Sequence, residues 1–142
     1  MSGFRVLHVE DEPDIREVVE LSLQLDPDLT VKSCGNPTDA LSEAADWMPD
    51  LILMDAMMPV MDGPELLAQL REDRRTAAIP VVFMTARAQH SEIEHFISLG
   101  AAGVIAKPFD PLTLAKSVRD CLRGKQPSRG AAAGRTKASR SG

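Results

Sequence analysis

Three acidic residues follow two apolar segments of the sequence, at positions where each predicted strand gives way to a loop. The stretch "LILMDAMMPVMDG" (residues 51–63) places Asp55 directly after an apolar run, and Glu10 and Asp11 follow "FRVLHV". Carboxylates that are brought together repel one another and resist joint ionisation. A hard divalent cation relieves that conflict, and Mg²⁺ favours oxygen ligands from one or two carboxylates together with a phosphate.

Two further side chains complement these acids. Thr85 and Lys107 each follow another apolar segment. A carboxylate such as that of Asp55 can act as a nucleophile toward phosphorus and form an aspartyl-phosphate. Phosphoryl transfer needs mainly positioning and charge neutralisation, which an ammonium group and a hydroxyl donor can supply. The five residues together therefore predict phosphoryl chemistry assisted by Mg²⁺.

Short apolar segments and helical patterns alternate along the chain. The predicted strands cover residues 4–9, 29–34, 50–54, 79–84 and 103–106. Five helical patterns lie after them, with apolar residues at helical spacing. The apolar positions expected to face the core are Ile15, Val18, Val19 and Leu25 in the first helix, Leu66, Leu67 and Leu70 in the third, Ile93, Phe96 and Ile97 in the fourth, and Leu114, Ala115, Val118, Cys121 and Leu122 in the fifth.

Proline and capping residues predict where the helices begin and end. The first helix is expected to open at Pro13 and to stop before Pro27. Asn36 is the expected N-cap of the second helix, which runs to about Trp47. Gly63 and Pro64 open the third helix, and Asp110 and Pro111 are expected to cap the last one.

This alternation predicts an α/β fold with a doubly wound, five-stranded parallel sheet covered by helices on both faces. The third and fourth strands are apolar throughout, as expected for strands buried on both sides. Ligands of such sheets lie beyond the carboxyl ends of the strands. Asp55 is expected at that edge, which explains why an acid follows the apolar run.

Length and composition fit one globular domain. The chain has 142 residues, of which 44% are hydrophobic and 26% charged. It contains no apolar run of membrane-spanning length and no secretory signal pattern, so we expect a cytoplasmic protein without a membrane partner. Cys34 and Cys121 show no metal-binding spacing and are expected to be reduced. The three histidines share no ligand spacing; His8 is read as a strand residue, and His90 and His95 as helix-surface residues.

The net charge of −5 is unevenly distributed. Residues 124–142 hold five basic residues and no acidic one, which leaves 11 basic and 21 acidic residues, a net charge of −10, in residues 1–123. An acidic body is a poor binder of nucleic acid, so no specific nucleic-acid partner is expected. The basic tail is rich in Gly, Ala and Ser and is predicted to be disordered.

The sequence resembles a receiver domain of the two-component response-regulator family over residues 4 to about 123. The resemblance lies in "VEDE", "LILMDAMMPVMDG", "VVFMTA" and "IAKPF", taken in this order and spacing. It implies a flavodoxin-like (βα)5 architecture with strand order 2-1-3-4-5. It also implies a chemotaxis-regulator-like single domain over residues 1–123, followed by the tail at 124–142.

The resemblance assigns roles to individual positions. Asp55 matches the phosphoryl-accepting aspartate, Asp11 the direct Mg²⁺ ligand and Glu10 its acidic partner. Met57 matches the position whose backbone carbonyl binds the metal, so that its side chain is free to vary. The family's phosphoryl donor is a phosphohistidine on a sensor histidine kinase or a histidine phosphotransfer protein.

Three positions bear on the conformational switch. Thr85 matches the switch hydroxyl, and Lys107 matches the lysine that pairs with the phosphoryl group. Val104 departs from the family pattern, because the family usually has Tyr or Phe three residues before the lysine. This chain therefore lacks the side chain that usually forms the aromatic part of the switch.

These observations favour a phosphorylation-activated switch that signals through contacts with a downstream protein and is not a turnover enzyme. One alternative is a pseudo-receiver that binds a partner without being phosphorylated. Another is an aspartate-nucleophile phosphatase of the haloacid dehalogenase type, which would require an aspartate as general acid where Met57 stands. The chain could equally be a receiver cut from a longer protein, with the tail as a linker.

Overall fold

In the computed structural model, which describes residues 3–122, five strands alternate with five helices. The strands are β1 (Phe4–Val9), β2 (Leu29–Cys34), β3 (Leu51–Asp55), β4 (Val81–Thr85) and β5 (Gly103–Ala106). The helices are α1 (Pro13–Leu23), α2 (Pro37–Trp47), α3 (Gly63–Glu72), α4 (His90–Ser98) and α5 (Leu114–Cys121). The predicted disordered tail, residues 124–142, lies outside the described residues.

The strands form one parallel sheet in the order β2-β1-β3-β4-β5, which confirms the predicted flavodoxin-like topology. The register pairs Asp55 with Met84 and Thr85 with Ala106. Since all strands run in one direction, their carboxyl ends meet at one edge. The sheet therefore brings Asp55 and Thr85 to the same edge.

Two apolar clusters cover the two faces of the sheet. β3 and β4 are buried along their whole length, as their apolar sequences predict. Leu7, Ile52 and Phe83 belong to the cluster beneath α2, α3 and α4. Val82 and Met84 belong to the other cluster, which includes residues of α1 and α5. No helix within residues 3–122 is long and apolar enough to cross a membrane.

The predicted cap of α2 is confirmed, and a second cap was not foreseen. The Asn36 side chain accepts a hydrogen bond of 2.8 Å from the Asp39 N–H, just before Pro37. At α3 the Asp62 carboxylate accepts from the Glu65 N–H, and the Glu65 carboxylate accepts from the Asp62 N–H. This capping box begins α3 at Gly63 and closes the loop that follows Asp55.

Two helix boundaries differ from the sequence prediction. α1 ends at Leu23 rather than just before Pro27, because the N–H groups of Leu25 and Asp26 donate to carbonyl oxygens three residues back and no longer follow the α-helical pattern. α5 begins at Leu114, because the Asp110 carboxylate accepts from the Leu112 N–H and holds the preceding segment in a turn.

The predicted core positions were wrong for three apolar residues. Leu25 lies beyond the end of α1 and is 62% exposed, and Val18 faces solvent on α1. Ile97 is also exposed, whereas its neighbour Phe96 is buried against Phe83. An apolar side chain alone does not fix which face of a helix meets the sheet.

Candidate functional site

The site lies at the carboxyl edge of the sheet, where the predicted residues converge. β3 and β4 begin one and two residues later than predicted and each ends one residue later, so Asp55 and Thr85 are the last residues of their strands. Glu10 follows β1 and Lys107 follows β5 directly. The parallel topology thus places four of the predicted side chains on one edge without any long connecting loop.

Three carboxylates form a compact group at this edge. One oxygen each from Glu10, Asp11 and Asp55 lies within 4.8 Å of the other two. Glu10 is fully buried, Asp55 is nearly so, and Asp11 is partly exposed. The group therefore opens toward solvent on the side of Asp11 and is closed on the side of Glu10.

Glu10 is the most constrained of the three acids. Its Oε2 accepts a hydrogen bond of 3.2 Å from the Glu12 N–H, while its Oε1 has no hydrogen-bond partner among residues 3–122. Burial raises the pKa of Glu10, and the neighbouring charges of Asp55 and Asp11 raise it further. The Glu12 N–H and the Lys107 ammonium act in the opposite direction. A buried carboxylate oxygen without a partner leaves an acceptor available for a cation.

Lys107 supplies the positive charge of the site. Its Nζ lies 3.2 Å from Asp55 Oδ2 and 3.8 Å from Glu10 Oε1. Its backbone N–H donates to the Thr85 carbonyl oxygen at 2.8 Å, which fixes the start of the chain after β5 against the end of β4. The ammonium group is thereby held between two acids that come from different strands.

The loops after β3 and β4 provide the remaining polar groups. The Met57 N–H donates to Asp55 Oδ1 at 3.2 Å, whereas the Met57 side chain is 74% exposed. Thr85 is buried, and its hydroxyl oxygen accepts a hydrogen bond of 3.0 Å from the Arg87 N–H. The backbone N–H of Met57 therefore contacts the acid while its side chain is exposed, and the metal-binding role of its carbonyl oxygen stays a prediction.

A depression of about 230 Å³ lies beside the acids. Its lining includes Met57, Thr85 and Arg87, together with residues of α3 and α4. The Arg87 guanidinium lies 4.0 Å from the Glu92 carboxylate across this depression. The depression therefore adjoins the residues that follow Asp55 and the end of β4, and it is bordered by one threonine and one arginine.

Gly63 determines how closely the loop after Asp55 returns to the sheet. Its N–H donates to the Ala56 carbonyl oxygen at 3.0 Å. A Cβ at this position would lie 2.5 Å from Phe83 Cε1 and 3.0 Å from the Ala56 Cα. Such distances are shorter than normal packing allows, so only glycine lets α3 begin this close to β3.

Val104 lies in β5, three residues before Lys107. It pairs in register with Phe83 and is partly buried against the cluster beneath α2, α3 and α4. Its short branched side chain has few accessible rotamers. The structure therefore places Val104 on an edge strand of the sheet, partly covered by that cluster.

His8 was read as a strand residue, but its complete burial was not predicted. It pairs in register with Ser33, and neither the His8 ring nitrogens nor the Ser33 hydroxyl has a hydrogen-bond partner among residues 3–122. Burial lowers the pKa of His8 to about 3, with smaller contributions from the positive charges of Arg16 and Lys107. His8 is therefore neutral at physiological pH, two residues before Glu10.

Arg16 is a residue that sequence reasoning missed. Its Nη1 donates to the Glu10 carbonyl oxygen at 2.8 Å. One signal was present in the sequence: no other lysine or arginine occurs between residues 6 and 31, although that segment carries many acids.

The residues at this edge fit a hard divalent cation. Clustered carboxylate oxygens, including one that is buried and accepts no hydrogen bond, are the donor set that Mg²⁺ prefers. Sulfur and imidazole ligands are absent from the acidic group that the structure describes, which disfavours softer metals. The single lysine compensates only part of the charge of three acids.

Known proteins share both the sequence pattern and the fold. The family model for the response regulator receiver domain matches residues 6–119. The chain is 38% identical over 123 residues to the response regulator Rre1 of Synechocystis sp., an alignment that covers 87% of this chain and 53% of that protein. The chain thus spans about half the length of this relative. It is also 33% identical to the phosphate regulon transcriptional regulatory protein PhoB of Pseudomonas aeruginosa, and that alignment covers 89% of this chain and 55% of PhoB.

Solved structures of response regulators share the fold of this chain. The chemotaxis response regulator CheY4 of Vibrio cholerae superposes with a TM-score of 0.78 at 30% identity, covering 85% of this chain and 100% of that one. The signal receiver domain of the putative response regulator NarL from Mycobacterium tuberculosis gives a TM-score of 0.78 at 28% identity, covering 88% of this chain and 100% of that one.

Proposed function

Because the chain belongs to the response regulator receiver family, we propose that it is a phosphorylation-activated signalling switch with Asp55 as the phosphoryl acceptor. The observation that carries the proposal is the position of Lys107 Nζ, 3.2 Å from Asp55 Oδ2 within the group that Asp55 forms with Glu10 and Asp11. A carboxylate beside an ammonium group and near a cation site is arranged to receive a phosphoryl group.

The transfer itself requires little movement of the protein. An Asp55 carboxylate oxygen forms a bond to phosphorus while the bond from phosphorus to the donor's histidine nitrogen breaks, and the electron pair stays on that nitrogen. Lys107 can pair with a phosphoryl oxygen as it now pairs with Asp55. The Thr85 hydroxyl accepts from the Arg87 N–H and keeps its own proton for a phosphoryl oxygen.

Mg²⁺ would be held by carboxylate oxygens of Glu10, Asp11 and Asp55, together with the Met57 carbonyl oxygen. When bound, it would neutralise negative charge on the phosphoryl oxygens during transfer. Glu10 contributes a buried oxygen, Oε1, that accepts no hydrogen bond within residues 3–122 and has the Lys107 ammonium 3.8 Å away. Asp11 lies on the exposed side of the group, where a hydrated ion would enter.

We further propose that the chain takes its phosphoryl group from a sensor histidine kinase or a histidine phosphotransfer protein. Receiver domains are signalling modules, and the proposed output is a contact with a downstream protein. Residues 1–123 would form the receiver, with 124–142 as an appended basic segment. The Asp55 phosphate would be lost by hydrolysis or onward transfer rather than through catalytic turnover of a substrate.

The two alternatives predict different chemistry. A phosphatase of the haloacid dehalogenase type needs an acid two residues after its nucleophile, where this chain has the exposed side chain of Met57. A pseudo-receiver would not need Lys107 and three acids on one edge. The geometry therefore favours the phosphoryl acceptor over both.

One experiment separates the phosphoryl acceptor, the phosphatase and the pseudo-receiver. The protein is incubated with acetyl phosphate and Mg²⁺, and its intact mass and the consumption of the donor are followed over time. A single phosphoryl adduct that forms and decays supports the proposal. Rapid donor consumption without an adduct that accumulates would indicate the phosphatase, and neither an adduct nor donor consumption would indicate the binding module. Omitting Mg²⁺ provides the control and should slow adduct formation strongly.

A further inference from the structure

Arg16 holds the peptide group at which the chain leaves β1 for the acidic pair. Its Nη1 donates to the Glu10 carbonyl oxygen at 2.8 Å, and the Glu10 N–H donates to the Cys34 carbonyl oxygen at 3.1 Å. Glu10 is thus fixed on one side by the end of β2 and on the other by α1. Asp11 follows immediately, so the same two bonds set the direction of both acids.

The guanidinium occupies space that the absence of a side chain at Gly35 provides. A Cβ at Gly35 would lie 2.8 Å from Arg16 Nη1 and 3.5 Å from its Cζ. Gly35 does not have the positive φ that would require glycine; among the described glycines only Gly100 has one. Close approach of Arg16, rather than backbone conformation, therefore explains the glycine at this position.

We propose that Arg16 is a positioning residue for the cation site, because it fixes the backbone from which Glu10 and Asp11 present their carboxylates. It does not touch the ion itself, since its contact is with a carbonyl oxygen on the protein side of the acids. The inference rests on the proposed function, because a site that binds no Mg²⁺ has no affinity to lose. Partners that orient metal ligands are commonly worth about 10- to 100-fold in metal affinity.

Calorimetric titration of the full chain with Mg²⁺, at a temperature where every variant is folded, tests the inference. Arg16→Gln should weaken Mg²⁺ binding by about 10-fold. Gly35→Ala should also weaken it, because the added methyl group displaces the guanidinium while its charge remains. The two effects should not add in the double variant, because both act through the same hydrogen bond.

Arg119→Gln is the matched control. Arg119 pairs with Asp26 and Asp28 rather than with any member of the acidic group, so its loss should leave the Mg²⁺ dissociation constant unchanged. A purely structural role for Arg16 would lower the melting temperature in EDTA without changing the dissociation constant of the folded protein. The dissociation constant is therefore the readout that separates positioning from general stabilisation.

The outcomes distinguish this inference from the proposed function. If the wild type binds Mg²⁺ and both variants bind it equally well, the role of Arg16 is wrong while the proposed function stands. Fully additive effects would also overturn it, since the two residues would then act independently. If the wild type binds no Mg²⁺, the role of Arg16 and the proposed function both fail. Should Arg16→Gln not fold, the comparison of Gly35→Ala with the wild type decides, and equal affinities overturn the inference.

Discussion

Lys107 Nζ lies 3.2 Å from Asp55 Oδ2, and the lysine side chain is only 20% exposed. The ends of β3 and β5 are thereby joined by an ion pair across the end of β4, which lies between them. The charge of the acidic group is partly compensated before any ion or phosphoryl group arrives. The stability of the protein should therefore depend on Lys107.

Lys107→Met should lower the free energy of unfolding at pH 7 in EDTA by about 1–3 kcal/mol, because it leaves Asp55 and Glu10 without a counter-charge. The loss should shrink when Asp55→Asn is added, since the two residues interact directly. Urea unfolding of the two single variants and the double variant measures this coupling. Lys116→Met, at an exposed position of α5, is the control and should change stability little. Equal stability of Lys107→Met and the wild type would contradict this account.

Mg²⁺ should stabilise the folded protein. Binding to the native state alone contributes about 1–3 kcal/mol at concentrations well above the dissociation constant. Asp11→Ala should remove most of this gain, whereas Glu12→Ala should keep it, because Glu12 is exposed and outside the three-acid group. Thermal unfolding with EDTA or millimolar Mg²⁺ provides the comparison. A melting temperature that does not respond to Mg²⁺ would show that the acids do not form a cation site.

His8 should make the protein less stable in mild acid. Its pKa is about 3 in the folded protein and 6.5 when exposed, so between these values the unfolded chain binds more protons than the folded one. Stability contributed by neutral His8 is therefore present above pH 6.5 and is lost as the pH falls toward 3. Between pH 6 and pH 4 the free energy of unfolding of the wild type should fall by about 2 kcal/mol more than that of His8→Leu.

Comparison with His8→Leu isolates the histidine, because the other titrating groups are common to both proteins. The raised pKa of Glu10 acts with the opposite sign, stabilising the folded state at lower pH. Denaturant unfolding in EDTA across this pH range measures the difference. Parallel stability curves for the two proteins would mean that His8 is hydrated or paired in solution.

Thr85 should transmit phosphorylation through the loop after β4. Its hydroxyl oxygen accepts a hydrogen bond from the Arg87 N–H. When the hydroxyl donates to a phosphoryl oxygen and moves toward it, residues 86–91 should therefore shift. Val104 is short and stiff and cannot swing as an aromatic ring would. Amide chemical shifts with and without a beryllofluoride mimic should therefore change at 86–91 more than at 103–106.

Two variants sharpen this test. Thr85→Ala should abolish the changes at 86–91, because the link from the phosphoryl group to the loop is lost. Val104→Tyr should leave them in place, since the valine position does not carry the signal. Large chemical-shift changes at residues 103–106, without changes at residues 86–91, would show that β5 rather than the loop after β4 transmits the signal.

The sequence allowed the fold to be predicted because its signals are local. Strand β1 and the Asn36 cap follow from neighbouring residues, and a parallel sheet places Asp55 and Thr85 at one edge whatever the details of packing. Contacts that depend on how two elements pack against each other could not be predicted. The hydrogen bond from Arg16 to Glu10 depends on the angle at which α1 leaves β1, and no local pattern encodes that angle.

Burial was also only partly predictable. Val18 and Leu25 carry the residue types of a core yet face solvent, whereas His8 is fully buried. Val18 lies outside the buried face of α1, and Leu25 lies beyond the end of the helix, so neither reaches the core. The capping box at Asp62 and Glu65 was readable in principle, since it follows the usual spacing of such caps.

Locating the phosphoryl group tests the central claim most directly. The wild type is incubated with acetyl phosphate and Mg²⁺, the acyl phosphate is reduced with borohydride, and the modified peptide is sequenced by mass spectrometry. We predict one modification per chain, at Asp55, which is absent from Asp55→Asn and undiminished in Asp62→Asn, a matched change within the same loop. Modification at another residue, or an adduct at full level in Asp55→Asn, would contradict the account.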